Sequence, residues 1–148
     1  MGLLGLFSGK KEVTASVKNE LNGLVDHWKK AIEKLNTTDI VSTYINALED
    51  ALTTAKKLEN FENTYDWKHG KYKWNGDIQK TLKNMNAKKS QNECAFIDRA
   101  YEKLQRDCLK VATEKTKTKK VDQFFAELEH YYEYFNDDTV EYIKSLKK

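Results

Sequence analysis

Proline is absent from all 148 residues, where average usage would supply roughly 7. No ring therefore removes a backbone N–H or clashes with the preceding helical turn. Glycine is scarce too, and three of its six positions, Gly2, Gly5 and Gly9, fall at the start. Gly70 and Gly76 mark one central irregular segment, and Gly23 stands inside a helical pattern. Long apolar runs are missing, since no stretch approaches the roughly 20 residues that span a bilayer. The apolar opening Met1-Gly2-Leu3-Leu4-Gly5-Leu6-Phe7 has no positive charge before it and is short, which does not match a secretory leader. The expected location is cytoplasmic.

There are two cysteines, Cys94 and Cys108, fourteen positions apart. On one continuous helix they would stand about 21 Å apart, far beyond the roughly 7 Å between Cα atoms that an intrachain disulfide tolerates. They read as small thiols in a reducing compartment. Arginine is nearly absent as well, only Arg99 and Arg106 against an otherwise lysine-based positive charge.

What is present is charge of both signs, 33% of residues, with 11% aromatics. Disordered chains pair high net charge with few aromatics, so a folded core is expected. Its period is helical. From Glu12 to Leu35 the apolar residues Val13, Val17, Leu21, Leu24, Trp28, Ile32 and Leu35 recur every three or four positions, one stripe of a helix. Asn36-Thr37-Thr38-Asp39 reads as turn and cap. A second helix follows to about Asn60 with Ile40 or Val41, Tyr44, Leu48, Ala55 and Leu58. Helix resumes near Asp77, and the stripe slips phase at Lys88 to Glu93, where Ser90 and Glu93 match a capping box; a break near Ser90 is expected. A new stripe runs through Cys94, Ile97, Tyr101, Leu104, Cys108 and Val111. Thr113 to Lys120 reads as a polar connector or a solvated helical stretch. A last long helix carries Val121, Phe125, Leu128, Tyr132 and Phe135, and Asn136-Asp137-Asp138-Thr139 could cap a short final one.

Phe61 to Asp77 departs from this rule. Tyr65, Trp67, Tyr72 and Trp74 alternate with polar residues around Lys68-His69-Gly70-Lys71. A hairpin would pair Trp67 with Tyr72 and Tyr65 with Trp74, although such a hairpin needs support in water; an irregular loop or continued helix is the other reading. The expected fold is all-α, a four- to five-helix bundle with a short aromatic β-hairpin or irregular loop near residues 64–75. Residues 1–11 form a flexible apolar tail, and residues 12–148 a single helical bundle domain.

No constellation for catalysis stands out. Glu127-x-x-His130 has di-iron spacing, but such sites need a second pair and two further inward glutamates. Neither cysteine has an evident base, and there is no phosphate loop and no HExxH. The expectation is a non-enzymatic protein without cofactor or metal.

Charge is strongly blocked. Lys56 to Lys89 holds nine lysines against four acids, and Val121 to Tyr142 holds seven acids with no lysine or arginine. The latter stretch carries more aromatics than one helical face can bury. The leading expectation is an adaptor, regulator or inhibitor that binds a protein partner, a basic one or a second copy of this chain. The candidate contact residues are Phe124, Tyr131, Tyr134, Tyr142 and Glu127, with Tyr65, Trp67, Tyr72 and Trp74 as a second surface. The alternative is a membrane surface, met by Leu3, Leu4, Leu6 and Phe7 with Lys10 and Lys11. Nucleic-acid binding through the lysine and aromatic residues of 65–74 is disfavoured, because arginine is the usual reader of bases and phosphates.

Overall fold

The computed structural model describes residues 10–67 and 74–147, with the side chains of Trp74 and Asn75 outside that description. Six α-helices occur among these residues: α1 (Ala15–Thr37), α2 (Val41–Thr64), α3 (Trp74–Ala87), α4 (Lys89–Leu109), α5 (Glu114–His130) and α6 (Asp137–Leu146). A 3-10 turn, Tyr132–Tyr134, lies between the last two. No β-strand is present among the described residues. The all-α class holds, and the helices among the described residues number six rather than four or five.

The chain packs as two compact units, one of Met1–Glu33 with Leu48–Asn84 and one of Lys34–Ala47 with Met85–Lys148. Helices α1 and α2 each contribute to both. In the first unit Leu21, Trp28 and Ala31 of α1 are buried, as are Ala51, Thr54, Ala55 and Leu58 of α2 and Ile78 of α3. The three- and four-residue spacings of these positions are the helical stripe expected from the sequence. Helix α1 starts three residues later than expected. Thr14 accepts the Val17 N–H on its hydroxyl at 3.2 Å, which satisfies one of the four orphan donors of a first turn. Lys11, ahead of it, is extended and pairs with Tyr65.

In the second unit α4 packs against both α5 and α6. Its buried stripe is Glu93, Phe96, Ile97 and Ala100, rotated by one position from the expected Cys94, Ile97 and Tyr101. Cys94, Tyr101, Leu104, Cys108 and Val111 are half-buried. Tyr44 lies against Phe96 with ring centroids 4.1 Å apart and within 6.3 Å of Phe135. Arg99 donates Nε–H to the Thr38 carbonyl and Nη2–H to the Leu35 carbonyl, each at 3.0 Å. These two bonds satisfy acceptors that the end of α1 leaves without helical donors.

Two local expectations hold and two change. The break expected near Ser90 is present between α3 and α4, as Lys88 alone, and that cap makes no side-chain hydrogen bond. Ser90 and Glu93 form no capping box because both turn to the start of α6 instead. Of the two readings of Thr113 to Lys120 the helical one holds: Thr113 caps α5 by accepting the Thr116 N–H, and the lysines continue the helix. Glu114 and Lys117 pair there at 3.3 Å, one turn apart on the same face. Finally α5 stops at His130, before Tyr132 and Phe135, where N–H groups reach back three residues rather than four and the turn tightens.

Candidate functional site

The aromatic, acidic stretch after Lys120 divides into three environments. Phe124 is in the core, 9% exposed, edge-on to Phe125 at 5.2 Å and tilted against Tyr101 at 6.2 Å. It is not available as a docking ring, which corrects the expectation for that residue. Tyr142 is half-buried and tethered, because its hydroxyl donates to the Asp98 carboxylate of α4. That bond, burial and the charge of Asp98 push the phenol up to about 12. The third environment is the turn after α5. Tyr131 and Tyr134 are half-buried with centroids 5.9 Å apart, and exposed His130 meets Tyr131 edge-on at 5.0 Å. Tyr132, between them, is half-buried too, and burial followed by the charge of Glu129 raises its phenol.

Carboxylates flank this turn in the sequence. Asp122, Glu127, Glu129, Glu133, Asp137, Asp138 and Glu141 are all exposed. Glu141 has a basic neighbour, the Lys144 ammonium at 3.8 Å. Exposed carboxylates beside partly covered rings offer a cation both an electrostatic and a cation–π partner.

The second surface is only partly within the description. Phe61, Tyr65 and Trp67 are half-buried and form a run of rings, with centroids 5.3 Å apart for the first pair and 6.2 Å for the second. Trp67 donates its indole N–H to the Phe61 carbonyl at 2.9 Å. Tyr65 does not pair with Trp74 in a hairpin. Its partner is Lys11, and Trp74 opens α3. Two backbone bonds make the Lys11 pairing, Lys11 N–H to the Thr64 carbonyl and Asp66 N–H to the Lys11 carbonyl, both 2.8 Å. Asp77 in the first turn of α3 suits the positive end of a helix, which is why helix prevails at Trp74. Tyr72 and the Trp74 side chain lie outside the described residues, as do Leu3, Leu4, Leu6 and Phe7. Lys10 and Lys11 are exposed.

The most deeply buried polar cluster among the described residues escaped the sequence. Glu93 is 1% exposed. Its Oε1 accepts the Asn136 N–H at 2.9 Å and the Thr139 hydroxyl at 2.8 Å, while Asn136 Nδ2 donates to Ser90 Oγ at 2.9 Å. Oε2 is buried with no hydrogen-bond partner among the described residues. Burial and the negative charge of Glu93 push the Tyr44 phenol up to about 12, with Arg99 opposing. One signal could have shown this: Glu93 falls on the same helical stripe as Phe96, Ile97 and Ala100.

Among the described residues no group of His, Cys, Asp and Glu is placed to hold a metal ion. Glu127 and His130 are both exposed. No described helix is long and apolar enough to cross a membrane. Comparison with protein-family models, curated proteins and solved structures found no match for this chain.

Proposed function

We propose that this chain is a non-enzymatic helical adaptor or regulator whose second unit docks a basic protein segment at the turn following α5. One observation carries the reading. From Val121 to Tyr142 the sequence carries seven exposed carboxylates and no lysine or arginine, and the half-buried rings of Tyr131, Tyr132 and Tyr134 fall within that stretch. Partly buried tyrosines supply large contact area at low entropic cost, and an acidic rim selects a cationic partner and speeds encounter. The contact set expected from the sequence for this surface changes accordingly. Tyr131, Tyr134 and Glu127 remain, His130 and Glu133 join them, Phe124 leaves for the core, and Tyr142 is committed to Asp98.

The test is capture of partners by the full chain, compared with Tyr131→Ala, Tyr134→Ala and Glu127→Lys, together with sedimentation to detect self-association. Loss of a tyrosine anchor should weaken the complex by about 2 kcal/mol, roughly thirtyfold. Reversing Glu127 at the rim should chiefly slow association. Unchanged association in both tyrosine variants would remove the proposal.

A further inference from the structure

Helix α5 carries its charge against its own dipole. Lys115, Lys117, Lys119 and Lys120 lie in its first seven residues with Glu114 alone opposing them, and Glu127 and Glu129 lie in its last turn. A helix favours acids at its start and bases at its end, so this order does not serve the helix itself. The end of α4 adds to the lysine end. The Asp107 carboxyl is held below its ordinary range first by the hydrogen bond from Lys103 at 2.9 Å, then by the charges of Lys103, Lys110 and Lys120, with loss of water opposing. Lysines of both helices therefore converge on the corner where α4 gives way to α5. Leu109 at that corner is 84% exposed, the most exposed large apolar side chain among the described residues.

Neither end of α5 is neutralised within one chain. Among the described residues Lys110, Lys115, Lys119 and Lys120 form no ion pair, and neither do Glu127, Glu129 and Glu133. The helix has 17 residues, which sets its ends about 24 Å apart at about 1.5 Å per residue. That exceeds the screening length of about 8 Å in physiological salt. One copy cannot bring the two ends together, whereas two copies can. Taking the turn after α5 as the docking surface, we propose that the basic segment it receives is the α4–α5 corner of a second copy of this chain. Leu109 then meets the Tyr131 ring, while Lys115 and Lys119 meet Glu127 and Glu129. An apolar contact flanked by opposite charges on the two sides is complementary in both respects.

The experiment is sedimentation velocity of the full chain over a range of concentrations, at low salt and at about 1 M salt, where the screening length falls to about 3 Å. The native chain should associate as concentration rises at low salt, and less so at high salt. Lys115→Glu with Lys119→Glu spoils the corner, and Glu127→Gln with Glu129→Gln spoils the turn. Each variant should weaken association about tenfold or more. Each also removes charge that opposes the α5 dipole, so helicity by circular dichroism should be kept. Mixed together, the two variants should associate more tightly than either alone, because the first keeps its turn and the second its corner. A native chain monomeric at every concentration, a variant that associates as the native chain does, or a mixture no tighter than its components would overturn the proposal. So would a monomeric chain that binds a single-stranded oligonucleotide through the same lysines. A monomeric native chain whose capture of another basic protein still depends on Tyr131 would exclude the second copy and leave the acidic turn as a docking surface.

Discussion

The Thr139 hydroxyl donates to the Glu93 carboxylate at 2.8 Å across 46 positions of sequence, and the same oxygen takes the Asn136 N–H. Glu93 thereby does for α6 what a local cap does elsewhere. Asn136, the cap by position, makes no side-chain bond to its own helix. A carboxylate from α4 stands in, at the end of α6 where backbone N–H groups are unsatisfied and the helix dipole is positive.

Removing that carboxylate should cost more than removing its charge. Glu93→Ala leaves two donors unmatched and a buried void, an expected loss of about 3 kcal/mol. Glu93→Gln keeps an acceptor oxygen and relieves the desolvation of a buried charge, so its loss should be about 1 kcal/mol. Urea midpoints of the two variants check the order. Glu93→Ala as stable as the native chain would show that the link contributes nothing.

Stability should also fall in alkali through two tyrosines. Tyr44 and Tyr142 are both raised from 10.0 to about 12, Tyr44 chiefly by burial and Tyr142 chiefly by its bond to Asp98. A raised phenol favours the neutral form in the fold. The contribution is therefore complete below pH 10 and is lost as pH climbs from 10 through about 12. For Tyr44 it is of order 2 kcal/mol. Unfolding measured across that window should show a shallower pH dependence in Tyr44→Phe than in the native chain, and an identical slope would contradict the assignment.

Arg99→Lys should lose about 1 kcal/mol in thermal or urea unfolding. The guanidinium holds two carbonyls, of Thr38 and Leu35, from two of its nitrogens, and it lies 5.9 Å from the centre of the Phe96 ring. An ammonium on a flexible stem cannot reproduce that fork. A lysine variant of native stability would mean that the end of α1 is held by other contacts.

The helical class was legible because apolar spacing and the lack of proline speak locally. Leu21 and Trp28 in α1, and Ala55 and Leu58 in α2, are buried as their stripe requires. The candidate site was legible only in composition. Seven acids among many aromatics could be counted, but whether Phe124 or Tyr131 faces the core depends on how α4 lies against α5. Glu93 was missed because a glutamate beside Ser90 also satisfies a local capping pattern, and only the fold shows that its partners are at Asn136 and Thr139. The Lys11 pairing was out of reach for the same reason, since it joins segments separated by two helices.

Phe124 and Tyr131 are seven positions apart, and the difference in their environments should separate stability from binding. Phe124→Ala should destabilise by about 3 kcal/mol or more, since a large ring leaves a packed core. Tyr131→Ala should cost about 1 kcal/mol or less, because surface and boundary changes are mild. Equal losses in urea unfolding would place Tyr131 in the core with Phe124 and leave the turn without an anchor for a partner.

Cys94 should be a slow thiol. Both cysteines lie on the single helix α4 and are half-buried, so neither can reach the other for a disulfide. Burial, first of all, raises the Cys94 thiol. Asp98, Glu93 and Asp138 add to the shift, while a hydrogen bond with Thr139 opposes it. The reactive thiolate is therefore scarcer in the fold than on an ordinary cysteine at the same pH. In a Cys108→Ser chain, labelling of Cys94 by a disulfide reagent at neutral pH should be several-fold slower in the folded than in the urea-unfolded protein. Equal rates in folded and unfolded chains would mean that Cys94 is open to solvent and unperturbed by the carboxylates around it.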